Sequence, residues 1–264
     1  MIIDGKKIAE EVISQIADKS KQPSEPLRLA GILVGDNQSA RKFLELKKTT
    51  ASKVGIDFRI YEFPETITTQ QLRKEVVAIS KAQVNSGVII ELPLPLHINT
   101  QYILNAIPEE KDVDVLSQKA QGAFFTGRSK ILPPSVEAVK ITFEKYNIDP
   151  RGKNCAVFGY GLLVGRPISH WLAANGATVS IINEFTPNPK PMAQNADIII
   201  SGVGSANLIT ADMVKDGAII IDFGPDVDFA SVSPKCSLIT PPTGGVGPLV
   251  IASVLKNLIE LKKQ

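Results

Sequence analysis

"CAVFGYGLLVGRP", residues 155–167, has the form of an apolar strand that runs through glycines into a helix. Gly159, Gly161 and Gly165 follow the pattern G-x-G-x-x-x-G, one residue longer than the usual dinucleotide fingerprint G-x-G-x-x-G. Glycines allow a tight turn and close approach of a ligand to the backbone. The N-terminus of the next helix presents unpaired N–H groups and a positive dipole end to a phosphate. Taken alone, the same residues read equally well as a strand-to-helix turn with no ligand. The following strand, "ATVSIINE", ends in Asn183-Glu184, and Glu184 lies 19 residues beyond Gly165. That is where a carboxylate accepts hydrogen bonds from an adenosine ribose. Two further strands end in "SGVG", with Val203 and Gly204, and "DFGP", with Pro225. Small residues at that sheet edge leave room for a nicotinamide cofactor, NAD or NADP.

The rest of the chain has the same rhythm. Before the glycine turn, helix-spaced stretches ("GKKIAEEVISQIADKS", "SARKFLELKKTTASKVG", "TTQQLRKEVVAISKAQ") alternate with apolar, strand-like ones ("LRLAGILVG", "DFRIYEFP", "SGVIIELPLP"). Such alternation implies parallel βαβ units. Residues 115–134 lack a period and read as a crossover. A helix, "SVEAVKITFEKYN", and a second alternating series follow, and "LVIASVLKNLIELKKQ" closes the chain as an amphipathic helix. The expected fold is α/β with two domains and a cleft between them.

Composition narrows the class. The chain has 264 residues, 44% hydrophobic and 21% charged, with a net charge of +2. A charge that small gives no argument for nucleic acid or a membrane surface. Cys155 and Cys236 cannot form a disulfide framework, and Cys155 reads as a small apolar residue in a buried strand. "MIIDGKKIAEE" is charged by residue 4 and lacks the apolar core of a signal peptide. No apolar run approaches the ~20 residues a membrane span needs. Two histidines, His97 and His170, and no cysteine pair at ligand spacing argue against a metal site. A cytoplasmic protein is expected.

Three more stretches, "VIIELPLPLH" (88–97), "PEEKDVDVL" (108–116) and "TPPTGGVGPLV" (240–250), lie around the glycine turn. With "GYGLLVGRP" they make the chain resemble the methylenetetrahydrofolate dehydrogenase/methenyltetrahydrofolate cyclohydrolase family over essentially its full length. The longer glycine spacing is that family's own pattern. The resemblance implies a folate domain over 1–118, completed by 249–264, and a Rossmann-like NAD(P) domain over 135–245. It also implies a homodimer. The implied chemistry is oxidation of 5,10-methylenetetrahydrofolate by hydride transfer to NAD(P)+, then hydrolysis of the methenyl product to 10-formyltetrahydrofolate.

By the same resemblance, Phe43 and Lys47 occupy the family's Tyr-x-x-x-Lys, and Lys47 matches the catalytic lysine. Without the resemblance, Lys47 reads as a solvated surface residue. Asp114 matches the carboxylate that accepts the pterin's amino group and ring N–H, and Asp112 reads as a turn or capping residue. Leu92 and Pro93 of "LPLP" would wall the pterin pocket. Gly244, Gly245 and Gly247 match the loop beside folate and nicotinamide. Tyr160, Val164 and Asn183 join the cofactor set with Gly159, Gly161, Gly165, Glu184, Val203, Gly204 and Pro225.

Several positions depart from the family. Phe43 lacks the tyrosine hydroxyl, Glu91 replaces a glutamine, Val115 replaces a glycine and "PPSV" replaces Pro-Cys-Thr-Pro. Tyr160-Gly161 and Asn183-Glu184 replace Arg-Ser and His-Ser, groups suited to a 2′-phosphate. An ionised Glu91 would favour a charged Lys47, making it a poorer base, or would itself serve as the base. The expectations are therefore weakened hydrolysis and a preference for NAD. Two other readings stay open: a binding protein that has lost its chemistry, and a related two-domain dehydrogenase with another small substrate.

Overall fold

The computed structural model describes residues 1–20 and 26–262. Lys263 and Gln264, the end of the closing basic run, lie outside them. The chain divides into two compact units, Glu11–Pro134 with Ile251–Gln264, and Met1–Glu10 with Ser135–Val250. Helix α1 (Gly5–Ser20) opens the chain.

Glu11–Pro134 is built on three parallel strands, β1 (Arg28–Val34), β2 (Asp57–Phe63) and β3 (Gly87–Ile90), in the order β2-β1-β3. The central strand β1 is buried from Leu29 to Val34, which explains its unbroken apolar run. Helices α2 (Gln38–Lys53) and α3 (Thr69–Lys81) make the crossovers and start where the sequence supplies caps. Asn37 accepts from the N–H of Ala40, and Thr68 and Gln71 form a reciprocal capping box. Helix α4 (Thr100–Leu104) follows β3. The aperiodic stretch 115–134 is not all irregular: α5 (Gln118–Phe125) lies within it, capped by Ser117. Eight residues with a glycine inside and two aromatics at the end are too few to show a period. Asn257 of the closing helix donates to the carbonyls of Val113 (2.9 Å) and Leu132 (2.8 Å), tying the chain's end to this unit.

The second unit has five parallel strands in the order β5-β4-β6-β7-β8. In chain order its elements are α6 (Pro134–Tyr146), β4 (Asn154–Phe158), α7 (Gly165–Ala174), β5 (Thr178–Ile182), α8 (Lys190–Asn195), β6 (Ile198–Ser201), β7 (Ile219–Asp222), α9 (Phe229–Val232) and β8 (Leu238–Ile239); α10 (Val246–Lys262) starts in this unit and continues in the first. "TADMVKDG" forms only a short 3-10 turn, Ala211–Met213. Strand β8 has two residues, too few for a sequence pattern. The N–H of Ile3 donates to Ile239 O (2.8 Å) and that of Ile239 to Met1 O (3.0 Å). Residues 1–10, counted with 11–118 from the sequence, therefore pack with residues 135–250. Among the described residues, no helix is long and apolar enough to cross a membrane.

Candidate functional site

Helix α2 buries Leu44, Lys47 and Ala51, one stripe at helical spacing. Lys47 is thus on the inner face and not a solvated residue. Its Nζ lies 4.8 Å from the centre of the Phe43 ring and donates to Oε1 of Glu91, the first residue after β3. Both side chains of this ion pair are 7% exposed. The exposed Lys48 pairs with Glu45 instead, at 3.7 Å.

The "KDVD" stretch is fastened from beneath. Lys111 Nζ donates to the carbonyls of Ser80 (2.8 Å) and Ala82 (2.9 Å) at the end of α3. The buried Asp112 carboxylate accepts from the N–H of Leu116 (3.0 Å) and of Ser117 (2.7 Å), the capping role expected of it. Between them the backbone turns through Val115, whose φ is 58°. This left-handed conformation costs a β-branched residue about 1–2 kcal/mol, and it explains why a glycine suits position 115. Asp114 keeps a little open surface, but burial pushes its carboxyl up to about 7. Nearby Lys47 pulls it down, while Glu91 and Asp112 push it further up. Lys47, Phe43, Glu91 and Asp114 are thus gathered in one unit, with Leu92 half-buried and Pro93 exposed just beyond Glu91.

In the other unit the glycine turn is a tight cradle. Gly159 has φ 87°, and a Cβ on Gly165 would lie 2.1 Å from the Gly159 carbonyl oxygen. Val203 Cγ2 is 3.2 Å from where a Gly159 Cβ would stand, and Val164 Cγ1 is 2.6 Å from where one on Gly202 would stand. Gly161 faces open space, so nothing steric demands glycine there. Helix α7 offers fewer free donors than its sequence suggests. The N–H of Arg166 goes to Gly161 O (3.1 Å), and Pro167 has none. Arg166 Nε also bonds Tyr160 O (3.0 Å), and the guanidinium lies 5.4 Å from the half-exposed Tyr160 ring. Asn183 caps its own turn by accepting from the Phe185 N–H, and Glu184 is exposed. Pro225 is exposed, and its carbonyl accepts from Asn207.

Gly244 has φ 73°, and its carbonyl accepts from Lys6 N–H (3.0 Å). Gly247 faces open space. Gly245 is buried, and its carbonyl oxygen would be 1.8 Å from a Cβ on Gly5. Gly5 was missed from sequence because its partner lies at the far end of the chain. Lys111 and Asp226 were missed too. Asp226 lies among the aspartates of "DFGPDVDF", a repetition that could have drawn attention to it.

The Gly159–Gly165 turn, closed to a Cβ at both of its ends and facing Val203, fits a dinucleotide. Comparisons agree. The catalytic domain of the tetrahydrofolate dehydrogenase/cyclohydrolase family matches residues 3–114, and its NAD(P)-binding domain matches residues 133–264. The "Bifunctional protein FolD" of Nautilia profundicola is 40% identical over 99% of this chain and 97% of its own. The bifunctional FolD of Campylobacter jejuni superposes with a TM-score of 0.95, at 34% identity over 100% of this chain and 98% of that one. The Trypanosoma brucei FolD, solved with NADP cofactor and an inhibitor, also gives 0.95, at 26% identity over 100% and 97%. With both domains matched in order and full-length relatives at this identity, the chain belongs to the tetrahydrofolate dehydrogenase/cyclohydrolase family.

Proposed function

We propose that the protein oxidises 5,10-methylenetetrahydrofolate to the methenyl form by hydride transfer to NAD(P)+ and hydrolyses that product slowly. The carrying observation is the buried Lys47–Glu91 pair beside Asp114. Asp114 receives the pterin's amino group and ring N–H, two donors that offset the burial of its charge. Leu92 and Pro93 wall the ring, and Gly244, Gly245 and Gly247 enter the reading through the family resemblance. The bound nicotinamide supplies the hydride acceptor. Hydride transfer asks the protein chiefly for alignment, whereas hydrolysis asks for a base or a charge beside the tetrahedral carbon. Lys47 supplies that group, but its ammonium is committed as a donor to Glu91, and Phe43 has no hydroxyl to orient it. This supports a weak hydrolytic step.

NAD is the preferred cofactor. Glu184 would meet a 2′-phosphate with like charge. The cations that could offset it are occupied, Arg166 on Tyr160 and Lys190 on Asp212 at 2.7 Å. Gly159, Tyr160, Gly161, Val164, Gly165, Asn183, Val203, Gly204 and Pro225 make up the rest of the cofactor set. Two free cysteines fit a cytoplasmic enzyme, and family membership favours a homodimer. The test mixes the purified protein with methylenetetrahydrofolate and each nicotinamide cofactor and follows reduced-cofactor and methenyl absorbance. Absence of both signals would favour a binding protein without chemistry.

A further inference from the structure

Asp226, four residues beyond the end of β7, is completely buried. One carboxylate oxygen accepts from Ser201 Oγ (2.6 Å) and Val203 N–H (2.7 Å). The other accepts from the N–H groups of Gly204 and Ser205, both at 2.8 Å. Three successive backbone N–H groups converging on one point form a nest suited to an anion. Here the chain's own carboxylate fills it. The nest is therefore closed to a phosphate, and its role is to hold the loop after β6 in one shape. That loop carries Val203 against Gly159, and Val164 lies against Gly202.

We infer that Asp226 is a positioning residue for the dinucleotide, an inference that rests on the cofactor reading above. By filling the 203–205 nest it fixes the β6 loop against the glycine turn, so the cofactor meets a surface already formed. Binding then avoids the cost of ordering that loop. Asp226 has no part in the proposed folate site, so the effect is confined to one substrate.

Asp226→Asn keeps the shape but turns one end of the group into a donor facing donors. Calorimetry should show NAD+ binding weakened about tenfold or more, with KM for NAD+ raised in step and KM for methylenetetrahydrofolate within about twofold of the parent. Ser201→Ala, which removes one of the four bonds, should weaken NAD+ binding about two- to threefold. Unchanged NAD+ affinity in Asp226→Asn, or equal rises in both KM values, would overturn the proposal. Should Asp226→Asn fail to fold, Ser201→Ala decides: unchanged NAD+ affinity in that variant overturns the inference. Failure of the parent protein to bind NAD+ or NADP+ at all would instead refute the cofactor reading itself.

Discussion

Asp114 shows how a group proposed to bind substrate can weigh on stability. Its carboxyl is near 3.8 in the unfolded chain and is pushed to about 7 in the fold. The folded state holds the proton more tightly, so this contribution is complete below about pH 4 and is lost as pH rises through 7. Asp114→Asn, neutral and of the same shape, should therefore exceed the parent in stability at pH 8, by about 2–4 kcal/mol, and approach it near pH 4. Urea midpoints measured across that range check the slope; a difference independent of pH would contradict it. The same variant should bind folate poorly, because the amide presents a donor to the pterin's two donors.

Lys47 is the opposite case, a charge whose removal is costly. Lys47→Met leaves Glu91 buried without its partner, a loss of about 3–5 kcal/mol. Adding Glu91→Gln should recover most of it. Methenyl hydrolysis should fall to the spontaneous rate in Lys47→Met, while reduced cofactor still forms from methylenetetrahydrofolate. Enzymatic hydrolysis by that variant would exclude Lys47 from the step. The spacing of Phe43 and Lys47 was legible from sequence as a shared helix face. That the face points inward was not, since a basic helix reads as solvated until the β3 carboxylate is seen against it.

Elements were legible where local chemistry marked both ends. Helices α2 and α3 follow their caps, and the strands follow their Val/Ile runs. Helix α5 and strand β8 were hidden because each is shorter than the period needed to recognise it. The glycines divide in the same way. Gly5 and Gly161 look equally permissive in the sequence, but one carries a Cβ vector aimed at a backbone oxygen and the other faces open space. Gly5→Ala should cost about 1–3 kcal/mol by overpacking. Gly161→Ala should be neutral or stabilising by about 0.4–1 kcal/mol through the unfolded chain. Denaturant midpoints of the two variants compare them directly, and similar losses at both would show that the loop, not the contact, sets the requirement.

Across the molecule five of the candidate positions share one placement. Both sheets are parallel, and ligands of such sheets gather beyond the strands' carboxyl ends. Glu91 follows β3, Gly159 follows β4, Glu184 follows β5, Val203 follows β6 and Asp226 follows β7. This is why much of the candidate site could be read by finding where each apolar run stops. It also concentrates the choice of cofactor in charge at the end of β5. The parent should show a higher kcat/KM with NAD+ than with NADP+, and Glu184→Ala should narrow that ratio about tenfold. A parent that favours NADP+ would contradict the assignment.

The pairing of the first residues with β8 also bears on how the chain is made. The Met1 ammonium bonds Ser237 O across 236 positions of sequence. At the usual pace of translation that partner leaves the ribosome on the order of ten seconds to a minute after Met1. Ile2 and Ile3 therefore wait through nearly all of synthesis before their edge of the sheet exists. During that interval the Ile3 side chain is open to chaperones, and the last strand to emerge is the one that buries it.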